Sequence, residues 1–339
     1  MHKPLSPLLL FPVLGIVALL SVAIACSMGS VSLSLSELVQ ASVELISGQN
    51  QSLPAALLEL RLDRALSGFV TGASLALSGV LMQALLRNPL ADPYVLGISS
   101  GASVGALSAI FFLGVGMWVS VSALAGALIV AVLLFAFAYR DFRGSGATET
   151  NAPLLILTGV IIASFCGAIV TLLLSIAPDR SMRGMIFWMI GDLSNSPPTL
   201  WTWALLCAVF AFIWHQARAM NIGAMHADHA INFGVDIGRL RKSLFFCAAL
   251  LTASAVSSAG SIGFVGLIIP HACRFAVGSD HRVLVPSACF AGGSFLVLAD
   301  ALARTVLAPQ QLPVGVITAM IGVPLFLMQL HHIRQGKSS

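Results

Sequence analysis

Charge is what this sequence has least of. Of its 339 residues only 9% are charged and 58% are hydrophobic, whereas soluble domains carry about a quarter charged residues; a soluble globular fold is excluded. Paired cysteines are also missing. Cys26, Cys166, Cys207, Cys247, Cys273 and Cys289 are scattered in or beside apolar segments with no C-x-x-C pair, which reads as small buried hydrophobes and not as a disulfide framework or metal site. No phosphate-binding G-x-x-x-x-G-K-[ST] loop and no H-E-x-x-H occurs. The short alternating apolar and polar segments of a membrane barrel are lacking too.

What is present is a series of continuous apolar runs, each near the roughly 20 residues that one bilayer crossing requires. They predict helices at about 7–28, 65–85, 95–113, 117–138, 152–175, 198–215, 243–259, 262–277, 285–303 and 313–331. The expectation is an all-α polytopic membrane protein with about ten spans, a single transmembrane domain over residues 1–339. The run from Leu8 to Met28 is long for a signal peptide and reads as a retained first helix. Ten crossings place both termini on one side. With Lys3 cytoplasmic, twelve basic residues fall on the inner side and five on the outer, as the positive-inside rule asks. The formal net charge of +4 is modest and points to no nucleic-acid partner.

Two outer segments exceed what connectors need. In residues 31–60, Ser34 and Glu37 have capping-box spacing ahead of an apolar-sided run, which predicts a short helix along the membrane surface. Residues 177–198 mix Met182, Met185, Met189, Phe187 and Trp188 with charges and suit an interfacial half-helix. On the inner side, residues 216–242 form a loop expected to carry a helix over Ala224–Phe233, closed by Gly234 and followed by a basic run. Such a loop reads as a docking element for a partner.

Two polar interruptions stand out within the apolar pattern. Leu81–Gly105 (LMQALLRNPLADPYVLGISSGASVG) sets Arg87, Asn88, Pro89, Asp92 and Pro93 between apolar segments and reads as an inner-side turn. Residues 260–286 carry Gly260, Gly263 and Gly266 at close-packing spacing, then a break at Pro270 and His271, then Arg274, Asp280, His281 and Arg282. Two interrupted segments of this kind fit an internally repeated transporter.

Candidate chemistry is sparse. G-x-S-x-G occurs twice, around Ser99 and Ser103, but at the start of an apolar helix, where small-residue packing explains it better than a nucleophile elbow. His226 and His229 with Asp228 read as surface residues more readily than as a metal site. Arg61 and Arg64 sit one turn apart just before the predicted second helix. Arg304 follows Asp300 by four residues, a spacing that permits an ion pair. Together the three arginines would form an outer basic patch suited to carboxylates of a protein partner. An ion-coupled secondary transporter would need ionisable groups in mid-membrane, and nearly all charges fall at helix ends. A membrane enzyme would need partners that the sequence does not place beside its serines.

The runs R-x-x-R-x-L-x-G-x-x-x-G-A-x-L-A-x-S-G (Arg61 to Gly79), Q-x-x-x-R-N-P-L-A-x-P-x-x-L-G (Gln83 to Gly97), G-F-V-G-L-x-x-P-H-x-x-R (Gly263 to Arg274), Asp280-His281 and L-P-V-G-V-I-T-A-x-I-G-V-P (Leu312 to Pro324) resemble the FecCD family. Its members are permease subunits of bacterial importers for cobalamin, haem and ferric siderophores. The resemblance implies alternating access at the interface with a second permease copy, giving a homodimer in the bacterial inner membrane. It also implies two ATPase subunits and a periplasmic substrate-binding protein. The permease would bind no cofactor and catalyse nothing itself, ATP-Mg acting at the partner ATPase. Carried over by position, Arg61, Arg64 and Arg304 would meet carboxylates of the binding protein. Met225, Asp228, Ala230, Phe233, Gly234 and Val235 would form the coupling segment against the ATPase, and Arg87, Asn88, Pro89, Pro270 and His271 would be structural motif residues. Two departures stand out: Asp63 falls where the family commonly has proline, and His226-Ala227-Asp228 replaces its usual Gly-acid pair.

Overall fold

The apolar runs fold into helices packed side by side, in a computed structural model that describes residues 7–29, 31–48, 52–139, 152–194, 199–224 and 233–336. Among these residues there are twelve α-helices and no strand: α1 (Pro7–Ser27), α2 (Leu35–Ser47), α3 (Leu53–Leu85), α4 (Ile98–Leu113), α5 (Met117–Phe137), α6 (Ala152–Ile176), α7 (Asp179–Ile190), α8 (Leu200–Gly223), α9 (Ile237–Ala259), α10 (Val265–Val277), α11 (His281–Thr305) and α12 (Val314–Gly336), with a 3₁₀ turn at Pro93–Leu96. Seven of them (α1, α3, α5, α6, α8, α9 and α11) are long and apolar enough to cross a bilayer, and α4, α10 and α12 are shorter apolar helices. Large apolar side chains such as Leu19, Ile129, Val132, Ile161 and Phe165 lie exposed on the outward faces of α1, α5 and α6, as lipid contact would require.

The remaining helices gather around α3. Ser52 caps its start by accepting the Ala55 N–H at 3.2 Å, and Pro54 occupies the first turn. Its 33 residues extend for about 50 Å at 1.5 Å per residue, well beyond the roughly 30 Å hydrocarbon layer. The apolar pattern predicts this helix only over about 65–85, with Glu59, Arg61, Asp63 and Arg64 ahead of it. They are helical because the first turns of α3 pack on α1, α2 and α11. A similar correction applies to the loop expected over 216–242. Ala217 and Met220 are buried and carry α8 on to Gly223, while the Asp236 carboxylate accepts the Arg239 N–H at 2.9 Å and starts α9 at Ile237. The connector is thus 224–236, of which 225–232 lie outside the described residues.

Glycine sets two close helix crossings. Where α3 meets α11, a Cβ on Gly72 would lie 2.7 Å from the Leu296 Cβ, and one on Gly292 would lie 2.6 Å from the Gly72 carbonyl oxygen. Where α4 meets α5, a Cβ on Gly101 would lie 2.6 Å from the Gly126 carbonyl oxygen. The G-x-S-x-G repeats are therefore helix-packing sequences. Ser103 Oγ is spent on the Ser99 carbonyl at 3.0 Å.

The two interrupted segments meet inside the molecule. Asp92 accepts the Tyr94 N–H at 2.7 Å and caps the 3₁₀ turn; the Tyr94 hydroxyl donates to the Ile262 carbonyl at 2.9 Å. The second break lies at residues 260–264, where Gly260 and Phe264 take left-handed φ values of 71° and 70°. Pro270, expected to break the run, sits inside α10. Having no N–H, it leaves the Gly266 carbonyl without its helical donor, and Gly79 of α3 packs directly on that carbonyl. Irregular backbone is tolerated at this depth because protein, not lipid, surrounds it.

Short helices close one end of the bundle. In α2 the Ser34 hydroxyl accepts the Glu37 N–H and the Glu37 carboxylate accepts the Ser34 N–H at 2.7 Å, the expected capping box. Ala41 packs with Ala55 and Leu58 of α3. α7 runs between α6 and α8 with Met185 fully buried. This is the capped end; the opposite end, where α3 turns towards α4 and α8 towards α9, is the open end.

Candidate functional site

At the capped end, α3 and α11 run antiparallel and bring three arginines together, two of them on one carboxylate. Asp300, one turn before the end of α11, is 1% exposed. Arg64 grips it with two nitrogens: Nε lies 2.9 Å from Oδ2 and Nη2 lies 2.8 Å from Oδ1. From the same helix, Arg304 Nε lies 3.0 Å from Oδ2. The third Arg64 nitrogen, Nη1, donates to Gln311 at 2.9 Å on the exposed side, and Asp192 stands 4.0 Å from Nη2. The i,i+4 pair between Asp300 and Arg304 is as the sequence spacing allows. The fork from Arg64 is a tertiary contact that the spacing does not reveal.

Arg61 and Arg304 also close the last turn of α1. Arg61 Nη1 donates to the Cys26 and Ser27 carbonyls at 3.0 and 3.3 Å and Nη2 to Val31, while Arg304 Nη2 donates to the Ala25 carbonyl at 3.2 Å. These include carbonyls that a helix end leaves without partners, and positive charge is favourable at the negative pole of the helix dipole. Gly29 makes the room: a Cβ there would lie 2.6 Å from Arg61 Nη2. Arg61 and Arg304 are 6% and 5% exposed, so two of the three arginines are interior groups. Gly29, Gln311 and the second role of Asp300 carried no signal in the sequence.

The open end gathers a second arginine group and treats it differently. Arg87 follows the end of α3 in the left-handed region at φ 48° and donates to the Gly223 carbonyl at 2.9 Å, at the end of α8. Arg274 of α10 donates to Gln83 of α3, and Arg241 stands in the first turns of α9. These residues line one cavity of about 260 Å³ together with Met220 and His281. Among the described residues no carboxylate lines it. The neighbouring acids are engaged elsewhere: Asp236 with Arg239 at 3.1 Å, and Asp280 with the Asn221 amide at 2.6 Å and the Arg282 N–H at 3.0 Å. The bond from Arg282 holds the Asp280 carboxyl below the usual carboxylate range, with Asn221 adding to it.

The other predicted residues divide by position. Asn88 and Pro89 are exposed, the Asn88 side chain accepting the Leu90 N–H at 2.9 Å to set the turn after α3. His271, next to Pro270, lies against Phe326. Phe233 is 69% exposed, Gly234 is left-handed at φ 73°, and Val235 packs on the main core. Met225, Asp228 and Ala230, with His226 and His229, lie outside the described residues.

Comparison with known proteins agrees with this architecture. Residues 16–332 match the FecCD transport family. A cobalamin import system permease protein, BtuC, of Halobacterium salinarum is 43% identical over 80% of this chain and 72% of its own length. The vitamin B12 import system permease protein BtuC of Escherichia coli is 38% identical over 80% of this chain and 82% of its own. A structure described as an inward-facing metal-chelate type ABC transporter superposes with a TM-score of 0.82 at 28% identity, over 95% of this chain and 99% of that one. The chain belongs to the FecCD transport family and is a permease of the ABC importer type.

Proposed function

We propose that this chain is the membrane subunit of an ATP-driven importer that moves cobalamin, or an iron chelate such as haem or a ferric siderophore, across the bacterial inner membrane. Ten helices cross the membrane, both termini are cytoplasmic, and the open end faces the cytoplasm. Two copies form the path at their interface and alternate access; two ATPase subunits bind ATP-Mg and drive them. The observation that carries this reading is the 43% identity to a cobalamin import permease over most of both chains. The placement of charges supports an ATP-driven over an ion-coupled mechanism: Arg61 and Arg64 lie in the third and fourth turns of the 33-residue α3 and Asp300 and Arg304 in the last two turns of α11, on the capped-end side of mid-span, where an ion relay would need mid-span groups. Connector 224–236, with Met225, Asp228, Ala230, Phe233, Gly234 and Val235, is assigned as the segment that presses on the ATPase. The exposed Phe233 ring supports that assignment.

A periplasmic binding protein is assigned to the capped end, on the face containing Arg61, Arg64 and Arg304. Arg64 is the member whose third nitrogen reaches the exposed Gln311, so it supplies the direct contact while Arg61 and Arg304 hold the face in shape. Proteoliposomes containing the chain, its ATPase and its binding protein should take up cobalamin only with ATP and binding protein present. Uptake of haem or a ferric siderophore instead would reassign the cargo. Uptake by the chain alone under an ion gradient would overturn the mechanism. Arg64→Glu should weaken binding-protein affinity at least ~tenfold, about 1.4 kcal/mol; unchanged affinity, also after reversing all three arginines, would make the patch purely structural.

A further inference from the structure

We infer that the open-end cavity is a binding site for a phosphate group. Arg87, Arg241 and Arg274 arrive there from three separate segments: the α3–α4 turn, the start of α9 and α10. Arg87 and Arg241 stand within electrostatic reach of each other, as do Arg274 and His281. Among the described residues none of the three arginines makes an ion pair; their hydrogen bonds go to the Gly223 carbonyl and the Gln83 amide. Like charges converging on a cavity with no carboxylate among its described lining residues are a cost unless an anion joins them, and guanidinium groups match phosphate oxygens bidentately. An independent observation comes from His281, which is 6% exposed and lines the same cavity. Its Nδ1 donates to Asn221 Oδ1 at 2.7 Å, and its Nε2, buried without a partner among the described residues, can donate to an anion in the cavity once the ring is protonated. Buried polar atoms of this kind are normally satisfied, by protein or by something bound.

Basic pockets between membrane helices at the cytoplasmic surface take up anionic lipid headgroups. The site therefore takes a phosphate group, from an anionic phospholipid or free in the cytoplasm. Only the choice of leaflet rests on the orientation proposed above. The cavity touches the ends of α3 and α8 and the start of α9, so a phosphate there would tie together both roots of connector 224–236.

The test is thermal unfolding of the full-length chain, purified in neutral detergent. Inorganic phosphate, dioctanoyl phosphatidylglycerol and dioctanoyl phosphatidylcholine are titrated in turn, with sodium chloride at matched ionic strength as reference. Saturable stabilisation by inorganic phosphate or by phosphatidylglycerol is expected, and which of them acts at the lower concentration identifies the source. Half-saturation should weaken at least ~tenfold in the Arg241→Gln/Arg274→Gln double variant, less in Arg241→Lys, which keeps the charge and loses the fork, and not in Arg183→Gln at the capped end. Should the double variant fail to fold, the lysine variant together with native mass spectrometry of bound phosphatidylglycerol decides the matter. A response equalled by sodium chloride, or unchanged in every open-end variant, overturns the site. So does a response that is absent in the natural chain and appears only in Asp228→Asn, since the chain's own carboxylate would then fill the cavity. Transport is not read out, so the result stands apart from the identity of the cargo.

Discussion

Each end of this permease concentrates three arginines, and the two ends handle them in opposite ways. At the capped end one buried carboxylate, Asp300, holds Arg64 and Arg304, and helix-end carbonyls take up Arg61 and Nη2 of Arg304. At the open end Arg87, Arg241 and Arg274 face a cavity that no carboxylate lines among the described residues. The same side chain is a structural rivet in one place and an unneutralised charge in the other. What differs is whether an acid lies within reach and whether water has access. A count of basic residues does not separate these cases; the position of acids in the fold does.

The contrast is broken most severely at Asp300. Asp300→Leu leaves the buried Arg304 and the partly buried Arg64 without their anion, and losing one partner of a buried pair costs about 3–5 kcal/mol. Unfolding in detergent should show a loss of that size, with Asp300→Asn intermediate. A loss below about 1 kcal/mol would mean that the arginines reach water and that the capped end resembles the open one. Gly29→Val is a smaller probe of the same region. Its Cβ would occupy the place of the Arg61 guanidinium, and overpacking of this kind costs about 1–3 kcal/mol. Combined with Arg61→Ala, which vacates the space, the two losses should be markedly less than additive.

The sequence made the first of these clusters partly legible and the second hardly at all. Asp300 and Arg304 are four apart on one helix, so their pairing follows from helical geometry. Arg64 and Asp300 are 236 residues apart, and nothing in a single sequence joins them. Arg87 and Arg274 were visible as polar interruptions, but their convergence with Arg241 depends on how three segments fold together. Helix existence was legible throughout because apolar runs of bilayer length have few alternatives. Helix ends were less so, because polar residues were read as loop. The first turns of α3 and α9 carry charges yet are helical, since protein neighbours and the caps at Ser52 and Asp236 replace what lipid cannot offer. The breaking power of Pro270 was misplaced for a related reason: a proline in the second turn of a helix costs one hydrogen bond, and the freed Gly266 carbonyl is covered by Gly79.

Asp280 sharpens the comparison from the open end, because it stands between the cavity-lining Ser279 and His281 and yet serves as the N-cap of α11. Asp280→Ala should cost about 0.5–2 kcal/mol, the range for a lost cap. Its carboxyl is held below its ordinary value, so its contribution is present above the unfolded-state pKa of about 4 and is lost as pH falls through the folded-state value. If Asp280 instead neutralised the arginines, its removal would cost more and the cost would shrink steeply with added salt.

The smallest expected effect is the most discriminating. Arg241→Gln in phosphate-free, lipid-depleted detergent removes a charge that has no acidic partner among the described residues and that stands near Arg87. Loss of like-charge repulsion offsets the lost packing of its aliphatic stem, so stability should change by no more than about 0.5 kcal/mol. Arg304→Gln at the capped end removes a buried donor to both Asp300 and Ala25 and should cost about 1–3 kcal/mol under the same conditions. Comparable losses at the two ends would show that Arg241 is held by a carboxylate after all, and the electrostatic asymmetry between the ends would disappear with it.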